Sequence, residues 1–115
     1  IISKYNPNGA KEKNQGIDFL VSAGSPVFAV APGNVALITD NTENFGKIVL
    51  IRHKNNLISI YGRVAKVLVK KNEVVTRGQK IGSMSEKAND DTNQTILHFE
   101  LRRGTQSVNP ENYFE

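Results

Sequence analysis

Apolar residues in this chain come in short runs rich in β-branched side chains, and nearly every run stops at residues that turn the backbone. Val, Ile and Thr pack well on a pleated surface, and runs this short do not fill a core helix, so the pattern predicts a mostly β domain with little helix. Candidate strands are Ile17 to Val21, Val27 to Ala31, Asn34 to Thr39, Lys47 to Arg52, Leu57 to Tyr61, Val64 to Val69, Lys80 to Ser83, and Ile96 to Leu101. Between them fall Gly24-Ser25-Pro26, Pro32-Gly33, Asn44-Phe45-Gly46, Asn55-Asn56, Arg77-Gly78 and Gly104, which supply positive or preset φ where the chain must reverse. Ile48, Leu50, Ile58 and Ile60 alternate with their neighbours in the pattern of a sheet with one face inward, so paired hairpins are expected to stack two antiparallel sheets into a sandwich. Ser85 to Thr95 breaks the rhythm with Glu86, Lys87, Asn89, Asp90, Asp91, Asn93 and Gln94, and is expected to be a mobile surface loop.

At 115 residues the chain fits a single domain, residues 1–115, long enough to bury one core without a metal or disulfides. Cysteine is absent, which excludes a disulfide framework and Cys-based zinc or redox sites. No window approaches the roughly 18 to 20 apolar residues needed to cross a bilayer. The chain opens at Ile1-Ile2-Ser3 without Met or a signal-like run, so the expectation is a piece of a longer protein with any anchor outside it. The net charge of +4 favours acidic partners, but Lys and Arg are interleaved with acids along the chain, which gives no nucleic-acid-binding run.

The stretch Val67 to Gly82 reads as paired turns followed by Gly-Gln-Lys-Ile-Gly. Gly78 is expected in a conformation that a Cβ would hinder, with Ile81 returning to the core. Lipoyl and biotinyl carrier domains share such a segment, but their modified lysine precedes it, whereas Lys87 follows it here.

Two further segments carry the chemistry: Asn14-Gln-Gly-Ile-Asp18 and Ile96-Leu-His-Phe-Glu100. Between them stand Gly24-Ser-Pro-Val-Phe-Ala-Val-Ala-Pro-Gly-Asn-Val35, Phe45-Gly-Lys-Ile-Val-Leu-Ile-Arg-His53 and Tyr61-Gly-Arg63, and Val108-Asn-Pro110 closes the series. In this order the segments resemble the LytM or lysostaphin-type zinc metallopeptidases, with their His-x-Gly-x-Asp, Gly-x-x-Val-x-Ala, Tyr-x-His and His-x-His elements. The resemblance covers nearly the whole chain and implies a LytM-type two-sheet sandwich of the duplicated hybrid motif kind.

The departures from that pattern fall on the chemistry. The resemblance implies metal ligands at Asn14, Asp18 and His98, and Asn14 replaces the first histidine. Two ligands are one short of the three that a catalytic zinc site takes from protein. The two histidines implied for catalysis are replaced by Arg63 and Ile96. Arginine stays protonated and cannot act as a general base, and isoleucine can neither donate nor accept a proton. Each surviving group has a plain structural reading beside this one. Asp18 can brace its turn, His98 can be a satisfied half-buried histidine, and His53, at a position that is not a ligand, reads as structural or exposed. Arg63 can satisfy Asp18 in place of zinc or offer a bidentate donor to a partner carboxylate.

The Asn-x-Gly-Ile-Asp and x-Leu-His-Phe-Glu forms are similar to those of NlpD-like and EnvC-like amidase activators. That resemblance implies no cofactor, no catalytic residue and no bound metal. It implies a periplasmic domain from the C-terminal part of a longer envelope protein, membrane-anchored or a lipoprotein, with a zinc-dependent N-acetylmuramoyl-L-alanine amidase as partner and peptidoglycan as a further one. Asn14, Asp18, Tyr61, Arg63, Ile96 and His98 are expected to line the partner-binding groove. The competing readings are an active zinc endopeptidase of peptidoglycan and an envelope scaffold that activates nothing.

Overall fold

The computed structural model describes residues 16–41, 46–85, 94–104 and 106–108. Ten strands run through them: β1 (Ile17–Ser22), β2 (Pro26–Phe28), β3 (Gly33–Asn41), β4 (Gly46–Arg52), β5 (Leu57–Val64), β6 (Lys66–Val67), β7 (Val74–Val75), β8 (Lys80–Ser83), β9 (Gln94–Arg103) and β10 (Gln106–Val108). The helical element among them is one 3₁₀ turn, Lys54–Asn56. All pairings are antiparallel. The larger sheet has seven strands in the order β1-β9-β5-β4-β3-β7, with β10 following β1 along the same edge of β9; the smaller has the order β2-β8-β6. The expected two-sheet sandwich is the observed fold.

The core lies between the sheets. Val27 and Ile81 from the small sheet meet Val35, Val49, Ile51, Tyr61, Phe99 and Leu101 from the large one. The register shows why these residues share a side: Val35, Ile51, Ser59, Leu101 and Val108 form one row across the large sheet, and Val49, Tyr61, Phe99 and Ile17 form the next. The inward face is therefore opposite to the one expected from sequence. Ile48, Leu50, Ile58 and Ile60 stand on the far side, where Leu37, Leu50, Ile60 and Glu100 align across four strands. Both faces of β4 and β5 are apolar, so alternation alone does not determine which one the small sheet covers.

Other departures are local. The run Val64 to Val69 divides at Ala65, where β5 ends and the chain enters the other sheet at Lys66. The strand expected at Val27 to Ala31 is the shorter β2, and the short β7 and β10 went unrecognised. Gly78 has φ 80° and Ile81 is buried, as expected. The loop expected at Ser85 to Thr95 ends early, because Gln94 and Thr95 belong to β9; residues 86–93 lie outside the described residues.

Behind the groove face, β5 is tied to the β2–β3 connection by a chain of side-chain hydrogen bonds. His53 Nδ1 is 2.7 Å from Pro32 O, His53 Nε2 is 2.7 Å from Ser59 Oγ, and Ser59 Oγ is 2.8 Å from the Tyr61 hydroxyl. The Val30 N–H reaches that hydroxyl at 3.1 Å. A carbonyl can only accept, so His53 Nδ1 donates to Pro32 O, and the Tyr61 hydroxyl accepts from the Val30 N–H. His53 thus has the structural role expected of it.

Candidate functional site

Strand alternation on β9 sends Ile96, His98, Glu100 and Arg102 to one face and Thr95, Phe99 and Leu101 to the other. The register then sets Asp18 of β1 beside His98, and Leu20 beside Ile96. On the other flank Gly62 of β5 lies opposite His98. Residues eighty positions apart in sequence are thus brought together, with His98 Nδ1 hydrogen-bonded to Asp18 Oδ1.

Two glycines make this packing possible. A Cβ at Gly16, just before β1, would fall 2.1 Å from Phe99 O and 2.7 Å from Glu100 Cγ. The Asn-x-Gly-Ile-Asp segment needs this glycine so that the chain can pass directly over β9. A Cβ at Gly62 would stand 3.3 Å from His98 Cβ, so the missing side chain leaves room for the imidazole.

The ring of His98 is engaged on both sides. Its Nε2 lies 3.1 Å from Glu100 Oε2, and Arg102 Nη2 donates to Glu100 Oε1 at 3.0 Å. A carboxylate accepts, so each ring nitrogen is placed to donate when it carries a proton. The hydrogen bond to Glu100 raises the His98 pKa most; burial opposes it, and Asp18 adds to the rise. Burial of Glu100 works to raise its pKa, but the bonds from His98 and Arg102 outweigh it and hold the carboxyl below its ordinary value. Asp18, His98, Glu100 and Arg102 therefore form a linked row of ionisable side chains along one face. Arg102 Nε is buried without a hydrogen-bond partner among the described residues.

This donor set does not fit a catalytic zinc. Asp18 and His98 are two ligands where three are needed. Among the described residues no cluster of three or more His, Cys, Asp or Glu could hold a metal ion. Asn14, at the implied third position, lies outside the described residues.

Of the other expected groove residues, Ile96 and His98 share a face with Asp18, and Arg63 follows Gly62 at a bulge. There Lys47 pairs with Val64 and Val49 with Tyr61, so Ile48 opposes both Gly62 and Arg63. Arg63 has φ 66°, a left-handed conformation uncommon for a residue with a side chain. Tyr61 is a correction. It is 1% exposed, points into the core, and its ring sits 5.5 Å from that of Phe99, so it supports the sheet from below and does not line the groove. Glu100, Arg102 and Leu20 were missed, although the period of two along β9 places the first two on the face of His98.

The sequence profile of peptidase family M23 matches residues 12–110. The lipoprotein NlpD/LppB homolog of Pseudomonas aeruginosa is 33% identical over 113 residues, which cover 98% of this chain and 36% of that protein. The murein hydrolase activator NlpD of Escherichia coli is 36% identical over 106 residues, covering 91% of this chain and 27% of that protein. The chain therefore spans about a third or less of the length of these relatives. Among solved structures, the catalytic domain of the prophage-encoded M23 protein EnpA from Enterococcus faecalis, determined as a point mutant, superposes with a TM-score of 0.79. It is 30% identical to this chain, and the match covers 98% of this chain and 89% of that one. With the family profile spanning all but the two ends and the fold shared over nearly the whole length, the chain belongs to peptidase family M23, the group of LytM and lysostaphin-type domains that its motifs resemble.

Proposed function

We propose that this chain is a non-catalytic M23 domain that activates a zinc-dependent N-acetylmuramoyl-L-alanine amidase of the periplasm and so promotes septal wall splitting and daughter-cell separation. The observation that carries this reading is the double engagement of His98 by Asp18 and Glu100. The imidazole at the position that the family gives to a metal is held between two carboxylates. Arg63 and Ile96 stand where catalytic histidines are implied, and neither can move a proton at neutral pH. The name murein hydrolase activator borne by the E. coli relative supports an activating role, and the name lipoprotein borne by the P. aeruginosa relative supports an envelope location.

The groove face offers an apolar flank at Leu20 and Ile96 beside the charged row. A partner segment bound there shifts the amidase toward its open state only insofar as the groove binds that state more tightly. The test is dye release from labelled peptidoglycan by a purified amidase from the same source, with and without the domain. Stimulation that saturates with domain concentration is expected. Binding without stimulation would leave the scaffold reading in its place.

A further inference from the structure

We propose that the outer face of the three-stranded sheet is a peripheral docking surface for an anionic phospholipid bilayer. Phe28 pairs with Lys80 across β2 and β8, and on the other side of β8 the Leu68 N–H bonds to Ile81 O at 2.9 Å. Pro26, Ser83 and Lys66 form one row; beyond the register shift at Val27/Phe28, Phe28 pairs with Lys80, while Leu68, just past β6, lies opposite Ile81. Val27 and Ile81, which alternate with these residues, are in the core. Phe28 is 50% exposed and Leu68 46%, and both lysines are exposed.

The segment that carries β6 and β8 is basic. Residues 64–84 contain five cations, Lys66, Lys70, Lys71, Arg77 and Lys80, against the single carboxylate of Glu73, a net of +4. That equals the net charge of the whole chain, so the remaining residues balance ten against ten. Glu73 is occupied within its own turn, accepting from the Lys70 N–H and from Gln79 Nε2, both at 3.2 Å. None of the five cationic groups forms an ion pair with a described residue.

Exposed apolar side chains at Phe28 and Leu68 beside the exposed Lys66 and Lys80 match the layering of a bilayer surface. The rings and methyls enter the boundary of headgroups and acyl chains, while lysine stems lie along them with their ammonium groups at the phosphates. A solvated polyanion would use the cations but gain nothing from burying Leu68. No helix among the described residues is long and apolar enough to cross a membrane, so the contact is peripheral. The groove lies on the opposite side of the sandwich, and a domain seated this way presents it away from the lipid. This inference does not depend on the amidase reading.

The test is sedimentation of the 115-residue chain with vesicles of phosphatidylglycerol and phosphatidylethanolamine, and with vesicles of phosphatidylcholine alone. Binding to the anionic vesicles alone is expected, weakening as salt rises. Each lysine near an anionic surface is worth roughly fivefold in partitioning, so Lys66→Gln with Lys80→Gln should weaken it about 25-fold. Lys54→Gln, in the turn between β4 and β5, should leave it unchanged. Phe28→Ser with Leu68→Ser should weaken binding about tenfold without altering its salt dependence. All five positions are exposed, and unchanged thermal midpoints confirm that the variants fold. Absence of binding to anionic vesicles, or indifference to the Phe28 and Leu68 changes, would overturn the proposal. So would stronger, equally lysine-dependent sedimentation with purified peptidoglycan sacculi.

Discussion

His98 and Glu100 stand two residues apart on β9, on the same face, with His98 Nε2 donating to Glu100 Oε2 at 3.1 Å while Asp18 holds the other ring nitrogen. An imidazole held in this way links β9 to β1. The same pair also makes the fold sensitive to pH at both ends of a defined window.

The His98 pKa is raised above 6.5, so its contribution to stability is fully present below pH 6.5 and is lost as pH rises through the folded value. The Glu100 pKa is lowered from 4.5, so its contribution is present above pH 4.5 and is lost as pH falls through the folded value. Thermal midpoints measured against pH should show the joint contribution complete between pH 4.5 and 6.5. Glu100→Gln should flatten both flanks, because it removes one titrating group and the main cause of the His98 shift. An unchanged profile in that variant would show that the pair does not couple to folding.

Glu100→Ala should cost more than the loss of one hydrogen bond. It strips partners from His98 Nε2 and Arg102 Nη2 together, beside an Arg102 Nε that already lacks one among the described residues. Leaving partly buried donors unsatisfied costs about 1–3 kcal/mol, and urea unfolding should show a loss in that range. Arg102→Met in the same background should recover part of it by removing the stranded cation.

Much of the arrangement was legible in sequence, because the segment order fixed which strands carry Asp18 and His98, and alternation placed Ile96 and His98 together. The inward face was not legible. Ile48 and Leu50 on one side of β4 are as apolar as Val49 and Ile51 on the other, and pattern cannot tell which side another sheet will cover. The misplacement of Tyr61 follows from this, since one step along β5 separates it from Gly62, which faces the groove. Glu100 could have been found from its spacing to His98, whereas the bulge at Arg63 leaves no sequence signal beyond the Gly-Arg pair itself.

Tyr61→Phe tests the assignment of Tyr61 to the core. It removes the hydroxyl that accepts from Val30 and contacts Ser59, leaving buried polar groups short of a partner at a cost of about 1–3 kcal/mol. Stimulation of the amidase by the folded variant should nevertheless match the parent's. Impaired stimulation at a temperature where the variant is fully folded would return Tyr61 to the binding surface.

The purified domain is expected neither to retain stoichiometric zinc after dialysis against it nor to cleave peptidoglycan. Two ligands are one short of the three that a catalytic zinc site takes from protein. Elemental analysis gives the metal content, and a cleavage assay with and without chelator gives the activity. One tightly held zinc per chain together with chelator-sensitive cleavage of a wall peptide would restore the endopeptidase reading.

The groove itself is tested at Arg63 and Ile96. Arg63 already sits at φ 66°, so replacing it by Glu exchanges one side chain in a left-handed position for another and adds no new backbone strain. Ile96 faces away from the core beside Leu20, which is 44% exposed, so Ile96→Asp opens no buried cavity. The Ile96 variant should therefore keep a thermal midpoint near the parent's, and the Arg63 variant, at a residue that has an interaction within the domain, is compared at a temperature where it is fully folded. Arg63→Glu reverses the charge offered to a partner carboxylate, and Ile96→Asp forces a carboxylate into an apolar contact. Either change at an interface anchor is expected to cost upwards of about 2 kcal/mol in binding, a loss of roughly 30-fold or more in the domain concentration needed for half-maximal stimulation. If both variants stimulate the amidase like the parent, the activating surface lies outside this groove.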